Sequence, residues 1–423
     1  MHSTVLLSTA VLLRRAARLT TIDRITENCM DLYDLKTPCF IFDEDEFGRG
    51  VNGFRDALQS EFGKVSIGYS VKTNSLPYAM RKAREHGCMA EVVSHDEYIL
   101  ARLCGYLPHE IIYNGPMKSK ETFLEAVSGG AVVNLESWRE FGWLGELPSD
   151  GQFNIGIRLN INISHVSPED ADGDDDNSRF GFSEESGEFA EALARLEVLP
   201  NVRIAGLHIH RTTHSRLPRF YERSVAYAAG VVHKYGLALD YLDVGGGYFG
   251  IFPGKPVFAD YAAAIHASLA RHGMEGLHVI VEPGNALVAS PFAFLTEVID
   301  IKRIGGGTVF ATTDGSRNDI DPFFRKSGYM SEIIRKDGLR PTVPLQVISG
   351  CTCLEYDRLF SLSGQEALSV GDRIMYRNVG AYTMTLSPQF IRLWPRVYAV
   401  DGAGTCFEVR RSGRASDIEL LDK

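Results

Sequence analysis

No apolar run in this chain is long enough to cross a bilayer. The longest, in MHSTVLLSTAVLLRRAARL, has about nine residues against the roughly 20 that a spanning helix needs. Its arginines follow the apolar stretch instead of preceding it, the wrong order for a secretory signal. An amphipathic helix or a tail is expected there, with no membrane partner. The chain also lacks a basic excess: 44 Lys and Arg face 54 Asp and Glu, for a formal charge of -10. That excludes the basic face a nucleic-acid partner wants and favours a small-molecule partner. No C-x-x-C pair or Cys/His ladder with zinc spacing occurs among the seven cysteines (Cys29, Cys39, Cys88, Cys104, Cys351, Cys353, Cys406). A disulfide framework and a structural metal are therefore not expected, and a reducing, cytoplasmic setting fits. Low-complexity linkers are absent as well.

What is present is a series of short, β-branched-rich runs. They are VSIGYSVK (65–72), MAEVVS (89–94), IIYNGP (111–116), AVVNLES (131–137), NIGIRLNIN (154–162), RIAGLHIH (203–210), LDYLDVGGG (239–247) and HVIVEPG (278–284). Stretches of helical periodicity such as LPYAMRKAREHG separate them. Near-continuous apolar strands alternating with helices imply parallel strands, and eight such units match an α/β fold of the (β/α)8 barrel type. A doubly wound open sheet would need a reversal of strand order that the sequence does not show. After residue 290 the pattern becomes strands joined by turns, an antiparallel β domain. TPCFIFDEDEF (37–47) reads as a strand entering the barrel. The expected order is an N-terminal segment (1–45) that joins the β domain, a barrel (46–290) and a C-terminal β domain (291–423). The acidic insertion SHVSPEDADGDDDNSRFGFS (164–183) echoes a calcium loop. Where such a loop ends on a bidentate glutamate this chain has Arg179, so a solvated loop is expected.

Chemistry in such a barrel sits at the C-terminal ends of the strands. Lys72, Glu91, Arg158, His208, His210, Gly245-Gly246-Gly247 and Glu282-Pro283-Gly284 all lie there. A lysine is rarely placed in a core unless it is paired or used. A glycine triplet exposes backbone N–H groups and suits a phosphate. A buried lysine beside a phosphate site suggests a Schiff base with a phosphate-bearing aldehyde, its amine kept neutral by desolvation and positive neighbours. Pyridoxal 5'-phosphate also wants an acid opposite its ring nitrogen, for which Glu282 is the candidate, and a flat face such as His210 against its ring. His208 and His210 are taken to face opposite sides, one of them structural.

These motifs stand in the order of a known family. From about residue 37 to 395 the chain resembles the pyridoxal-phosphate-dependent ornithine/diaminopimelate decarboxylases, whose barrel is alanine-racemase-like. YSVKTN is similar to the family's Y-A-V-K-A-N, AEVVSHDE to D-V-V-S-x-x-E, LDVGGGY and EPG to its phosphate loop and pyridine glutamate. GCTCLEYDRL is similar to G-P-T-C-D-x-x-D, and NVGAYT to M-G-A-Y-T. The resemblance implies Lys72 as the Schiff-base lysine and Glu91 and Glu97 near the cofactor. It also implies Glu282 at the pyridine nitrogen, Cys353 rather than Cys351 as proton donor, and Tyr382 at the phosphate. It implies a homodimer in which the cysteine reaches the partner's site, and decarboxylation of an amino-acid substrate.

Departures from the family are specific. Its H-x-G-S reads His210-Arg211-Thr212-Thr213, and its E-P-G-R reads Glu282-Pro283-Gly284-Asn285. The phosphate-pairing arginine is thus missing, Thr213 retains a hydroxyl, and Arg211 is expected to compensate. Leu354 stands where relatives carry an acid for the substrate's distal amine, with Glu355 next and Asp357 beyond. Glu355, Asp357, Arg325 and Tyr382 are the candidate substrate contacts. Arg216, Arg317 and Arg325 hint at an anionic or bulky distal group, such as a carboxylated or acyl-conjugated diamino acid of siderophore-pathway type. The alternatives on the same fold are an amino-acid racemase and a non-catalytic homologue resembling antizyme inhibitors.

Overall fold

The computed structural model describes residues 31–171, 178–211, 213–250, 252–305, 307–336 and 338–420. The N-terminal 20 residues, most of the acidic stretch DADGDDDN and Thr212 lie outside them. The chain divides into two compact units, one holding Phe47–Ser290 with Gly380–Thr385, the other holding the remainder.

Strand β1 (Cys39–Asp43) precedes the barrel but is not part of it. The barrel comprises β2 (Val65–Ser70), β3 (Met89–Ser94), β4 (Ile111–Met117), β5 (Val132–Leu135) and β6 (Phe153–Asn160). A two-residue β7 (Phe182–Ser183) pairs only with β6. Then follow β8 (Val202–His208), β9 (Tyr241–Asp243) and β10 (His278–Val281). All pairings are parallel, in the order β5-β4-β3-β2-β10-β9-β8-β6, and β5 pairs with β6 to close the ring. Local sequence drives each unit. Ser94 and Ser119 accept backbone N–H bonds at the starts of helices His95–Leu103 and Lys120–Ser128, and Pro77 opens Pro77–Glu85 where its missing N–H costs nothing.

The barrel interior is filled by side chains, as an eight-stranded barrel requires. Two glycines on adjacent strands make room for polar ones. A Cβ at Gly156 would strike Asn134 and the Tyr241 hydroxyl, and one at Gly206 would strike the Tyr241 ring.

The second unit is a sheet ordered β15-β14-β12-β11-β1-β17-β18. Its strands are β11 (Phe292–Ile304), β12 (Thr308–Thr313), β13 (Met330–Ile334) and β14 (Thr342–Ser349). They continue with β15 (Arg358–Glu366), β16 (Arg373–Arg377), β17 (Arg396–Val400) and β18 (Cys406–Arg410). Most pairs are antiparallel; β1–β17 and β12–β14 are parallel. The CFIFD run therefore does not enter the barrel. It is fully buried because β11 and β17 flank it on both edges, and Cys39 and Ile41 pack with Leu295, Met375 and Val400.

Candidate active site

Lys72 follows β2 at the C-terminal mouth of the barrel. Its Nζ lies 2.5 Å from Glu91 Oε2 on β3, and the same oxygen accepts from Ser70 Oγ at 2.6 Å. Lys72 is not a deeply buried lysine; its side chain keeps 35% exposure while that of Glu91 keeps 1%. Its amine is not pushed toward neutrality as expected from the sequence. Burial acts to lower its pKa, but the Glu91 and Glu282 carboxylates outweigh it and raise it. The neighbours are anions, not the cations anticipated. Glu91 is thus the direct partner that holds the Lys72 amine in its charged form. Glu97 extends this group: it accepts from the Val93 N–H at 2.8 Å, and burial pushes its carboxyl up to about 7.

Below the lysine lies a second cluster. Glu282, after β10, accepts from Asn114 Nδ2 at 2.5 Å and lies 3.7 Å from His208 Nε2. Atoms of His208, Asp243 and Glu282 all fall within 4.8 Å of one another, and all three residues are buried. Burial, then repulsion from Asp243 and Glu91, raises Glu282 well above the carboxylate range, and burial lifts Asp243 to about 7. Neither ring nitrogen of His208 has a hydrogen-bond partner among the described residues, nor does Asp243 Oδ2. Burial first, then Arg158 and neighbouring cations, lower its pKa and keep it neutral. The cluster is a buried set of carboxyls with a shortage of cations.

His208 and His210 do not face opposite sides. Residues two apart on a strand share a face, and their rings are parallel within 2° at 6.3 Å. Burial and the nearby Arg158 and Lys72 lower His210 to about 3, so it too is neutral. Its Nδ1 accepts from the Gly246 N–H at 3.1 Å, which puts the ring proton on Nε2. Arg158 stands behind it: Nη1 bonds Glu136 Oε1 at 2.7 Å and Nη2 bonds the His210 carbonyl at 3.1 Å. Those two bonds brace His210 from behind and use only part of the guanidinium's five donors.

The glycine triplet is less open than its sequence suggests. The Gly245 N–H donates to Asp243 Oδ1 and the Gly246 N–H to His210, so two of the three donors are spent. The glycines are needed for another reason. Gly245 and Gly247 have φ of 72° and 97°, and a Cβ at Gly246 would meet the Glu282 carbonyl. Thr213 is buried, and its Oγ1 accepts from the Arg216 N–H at 3.0 Å, which leaves its own proton to donate. Pro283 precedes the short helix Gly284–Val288 that carries Asn285. A Cβ at Gly284 would strike Thr73 Oγ1, a buried hydroxyl with no partner among the described residues. Arg211 lies near enough to His210 to influence its charge. Tyr382 reaches the same place from far along the chain: its N–H donates to the Thr73 carbonyl at 2.9 Å, and Asn74 Nδ2 holds the Gly380 carbonyl at 2.9 Å. Its φ of 56° is rare for a tyrosine.

The remaining candidates belong to the β unit. Cys353 is exposed in the loop between β14 and β15, while Cys351 is half-buried with Arg392 3.9 Å from its sulfur. Glu355 and Arg325 are exposed, the latter with its guanidinium 5.4 Å from the Phe323 ring centre. Asp357, the expected substrate contact, is engaged within its own loop. Its buried carboxylate accepts from Ser316 Oγ, the Arg317 N–H, the Thr352 N–H and Thr352 Oγ1, at 2.6 to 3.1 Å. It staples the cysteine loop. Arg317 is likewise paired, with Asp321 at 2.8 Å. Asn114, Asp243 and Glu136 were not among the residues singled out from the sequence. A polar residue inside the apolar run IIYNGP was the available signal for Asn114.

Residues 51–289 match the family described as the pyridoxal-dependent decarboxylase, pyridoxal binding domain, and the chain belongs to that family. It is 26% identical over 364 residues to a diaminopimelate decarboxylase of Actinosynnema pretiosum subsp. auranticum, covering 84% of this chain and 81% of that one. It is 25% identical to an L-glutamyl-[BtrI acyl-carrier protein] decarboxylase of Niallia circulans, covering 90% and 93%. The crystal structure of diaminopimelate decarboxylase from M. jannaschii superposes with a TM-score of 0.80 at 23% identity, covering 92% and 93%.

The residues present suit pyridoxal phosphate. A lysine stands at the mouth, a neutral imidazole face lies beside it, and buried carboxyls short of a cation suit a protonated ring nitrogen.

Proposed function

We propose that this chain decarboxylates an α-amino acid with a distal carboxylate or acyl link, using Lys72 as the covalent anchor of pyridoxal phosphate. The observation that carries the reading is the pairing of Lys72 with Glu91 above a buried, cation-poor Glu282–Asp243 pair. Lys72 would hold the cofactor aldehyde, Glu282 would meet its ring nitrogen and His210 its ring face. Gly247, Thr213, Asn285, Arg211 and Tyr382 would hold its phosphate. Bound cofactor supplies the electron sink for the charge left when carbon dioxide departs.

The protein's own part is proton handling and positioning. Glu91 accepts the proton from Lys72 Nζ and returns it. Because Lys72 is a third exposed, that ion pair contributes only about 1 kcal/mol to folding, and its value lies in controlling the amine. Cys353 Sγ, exposed on a stapled loop, would hold the proton that the substrate carbon needs, offered from the partner subunit of a homodimer. Leu354 removes the acid that would hold a free distal amine, and Arg325 offers a cation instead. The Niallia circulans relative acts, by its name, on an amino acid joined to a carrier, which supports a substrate with a conjugated distal end.

A carbon dioxide release screen tests this, over ornithine, lysine and diaminopimelate of both configurations and over their carboxylated and acylated conjugates. Turnover is expected with a conjugate. Turnover of free diamino acids alone would remove the distal-group reading, and loss of optical rotation without gas release would mark a racemase.

A further inference from the structure

We propose that Asn114 is a positioning residue: as the last link of a buried amide chain, it fixes the Glu282 carboxylate, with Glu91 beside it, in the ionised form that faces the cofactor. The inference rests on the pyridoxal-phosphate reading above.

Asn114 sits mid-strand in β4, 1% exposed, where its neighbours Ile112 and Tyr113 are fully buried. Its Nδ2 donates to Glu282 Oε1 at 2.5 Å and reaches Glu91 Oε1 at 3.4 Å. An ionised carboxylate only accepts, so the amide nitrogen must face it and Oδ1 must turn away. Oδ1 accepts from Asn134 Nδ2 at 2.8 Å, and Asn134 Oδ1 in turn accepts from the Tyr241 hydroxyl at 2.9 Å. Every donor in the chain Tyr241, Asn134, Asn114 points toward the carboxylates. Three neutral groups thus present one aligned dipole path to the site floor, and such chains polarise in the same sense. The path has its own accommodation in the fold, since Gly156 and Gly206 lack the Cβ atoms that would fill its space.

The alignment opposes everything else near Glu282 except Lys72. Burial and the facing carboxyls of Asp243 on β9 and Glu91 on β3 favour a protonated Glu282. His208 on β8 is neutral, and Lys72 after β2 is already bonded to Glu91. Asn114 is the short, directed donor that favours the carboxylate. Without it Glu282 keeps its proton, or turns toward His208, and no longer meets a protonated ring nitrogen.

The test uses the full chain and pyridoxal phosphate, with cofactor affinity measured by absorbance titration across pH, for wild type, Asn114→Leu, Tyr241→Phe and a control, Ile112→Val. Loss of a hydrogen bond to a charged group is expected to weaken affinity about 10- to 100-fold in Asn114→Leu. The acid limb of the affinity–pH profile should also move to higher pH, because Glu282 then ionises later. Tyr241→Phe should move the limb the same way by less, and Ile112→Val should not move it. An unmoved limb in Asn114→Leu, even with weaker binding, would reduce Asn114 to packing and overturn the inference. Should Asn114→Leu fail to fold, an unmoved limb in Tyr241→Phe overturns it equally. Wild-type protein that binds no pyridoxal phosphate would instead overturn the reading of the site itself.

Discussion

Three carboxyls sharing one buried floor set the character of this site. Glu282 and Asp243 bind their protons more tightly than ordinary carboxyls do, because burial and mutual repulsion penalise their ionised forms. The folded apoprotein therefore binds the Asp243 proton more tightly than the unfolded chain does. That stabilisation is complete below the usual Asp value of about 3.9 and is lost as pH rises through about 7. The buried histidines act in the opposite sense, since they stay neutral where unfolded histidine is charged. The comparison is thus against Asp243→Asn, which shares those histidines. Between about pH 4 and 7 the wild-type apoprotein is expected to lose stability relative to the variant. Urea unfolding at both ends of that range measures it, and parallel behaviour of the two proteins would contradict the assignment. At this scale the strand ends named in the sequence, Lys72, His210 and Glu282, do bring their side chains near one another. The sequence was silent on Asn114, because an amide inside an apolar strand has no meaning until the closed barrel brings Glu282 beside it. The state of Lys72 was misjudged for the same reason: the sign of its neighbours is a three-dimensional fact.

Between β14 and β15 the motif GCTCLEYD has a structural logic that its resemblance did not disclose. Gly350 lets the Asp357 carboxylate approach, since a Cβ there would collide with it. The carboxylate then gathers donors from Ser316, Arg317 and Thr352 and sets the loop that presents Cys353. Asp357→Ala should strand those donors, with a loss of about 3 kcal/mol in stability, and should change the alkylation rate of Cys353. Asp357→Asn, which keeps part of the acceptor set, should fall between. Thiol labelling with a small alkylating reagent, alongside thermal melts, would show it; unchanged labelling in folded Asp357→Ala would deny the staple. The CFIFD strand was legible as a strand, but its sheet was read two ways, as entering the barrel and as part of a segment joining the β domain, because apolar burial on both faces is common to either sheet. Only the pairing with β11 and β17 decides.

Taken whole, the chain's (β/α)8 order was readable because each strand–helix unit carries its own period and caps. The grouping of Gly380–Thr385 with the barrel unit was not readable, because it depends on bonds from Thr73 and Asn74 across more than 300 positions. That return of chain sets Tyr382 beside the lysine and makes the mouth a joint product of distant segments. The central claim is that Lys72 is where pyridoxal phosphate attaches. Borohydride reduction of the protein loaded with pyridoxal phosphate, followed by peptide mass analysis, tests it most directly. The mass of the reduced cofactor should appear on the peptide containing GYSVKTNS, at Lys72, and should be absent from Lys72→Ala. Label on Lys118 or another lysine instead, or no label in wild type, would contradict the account.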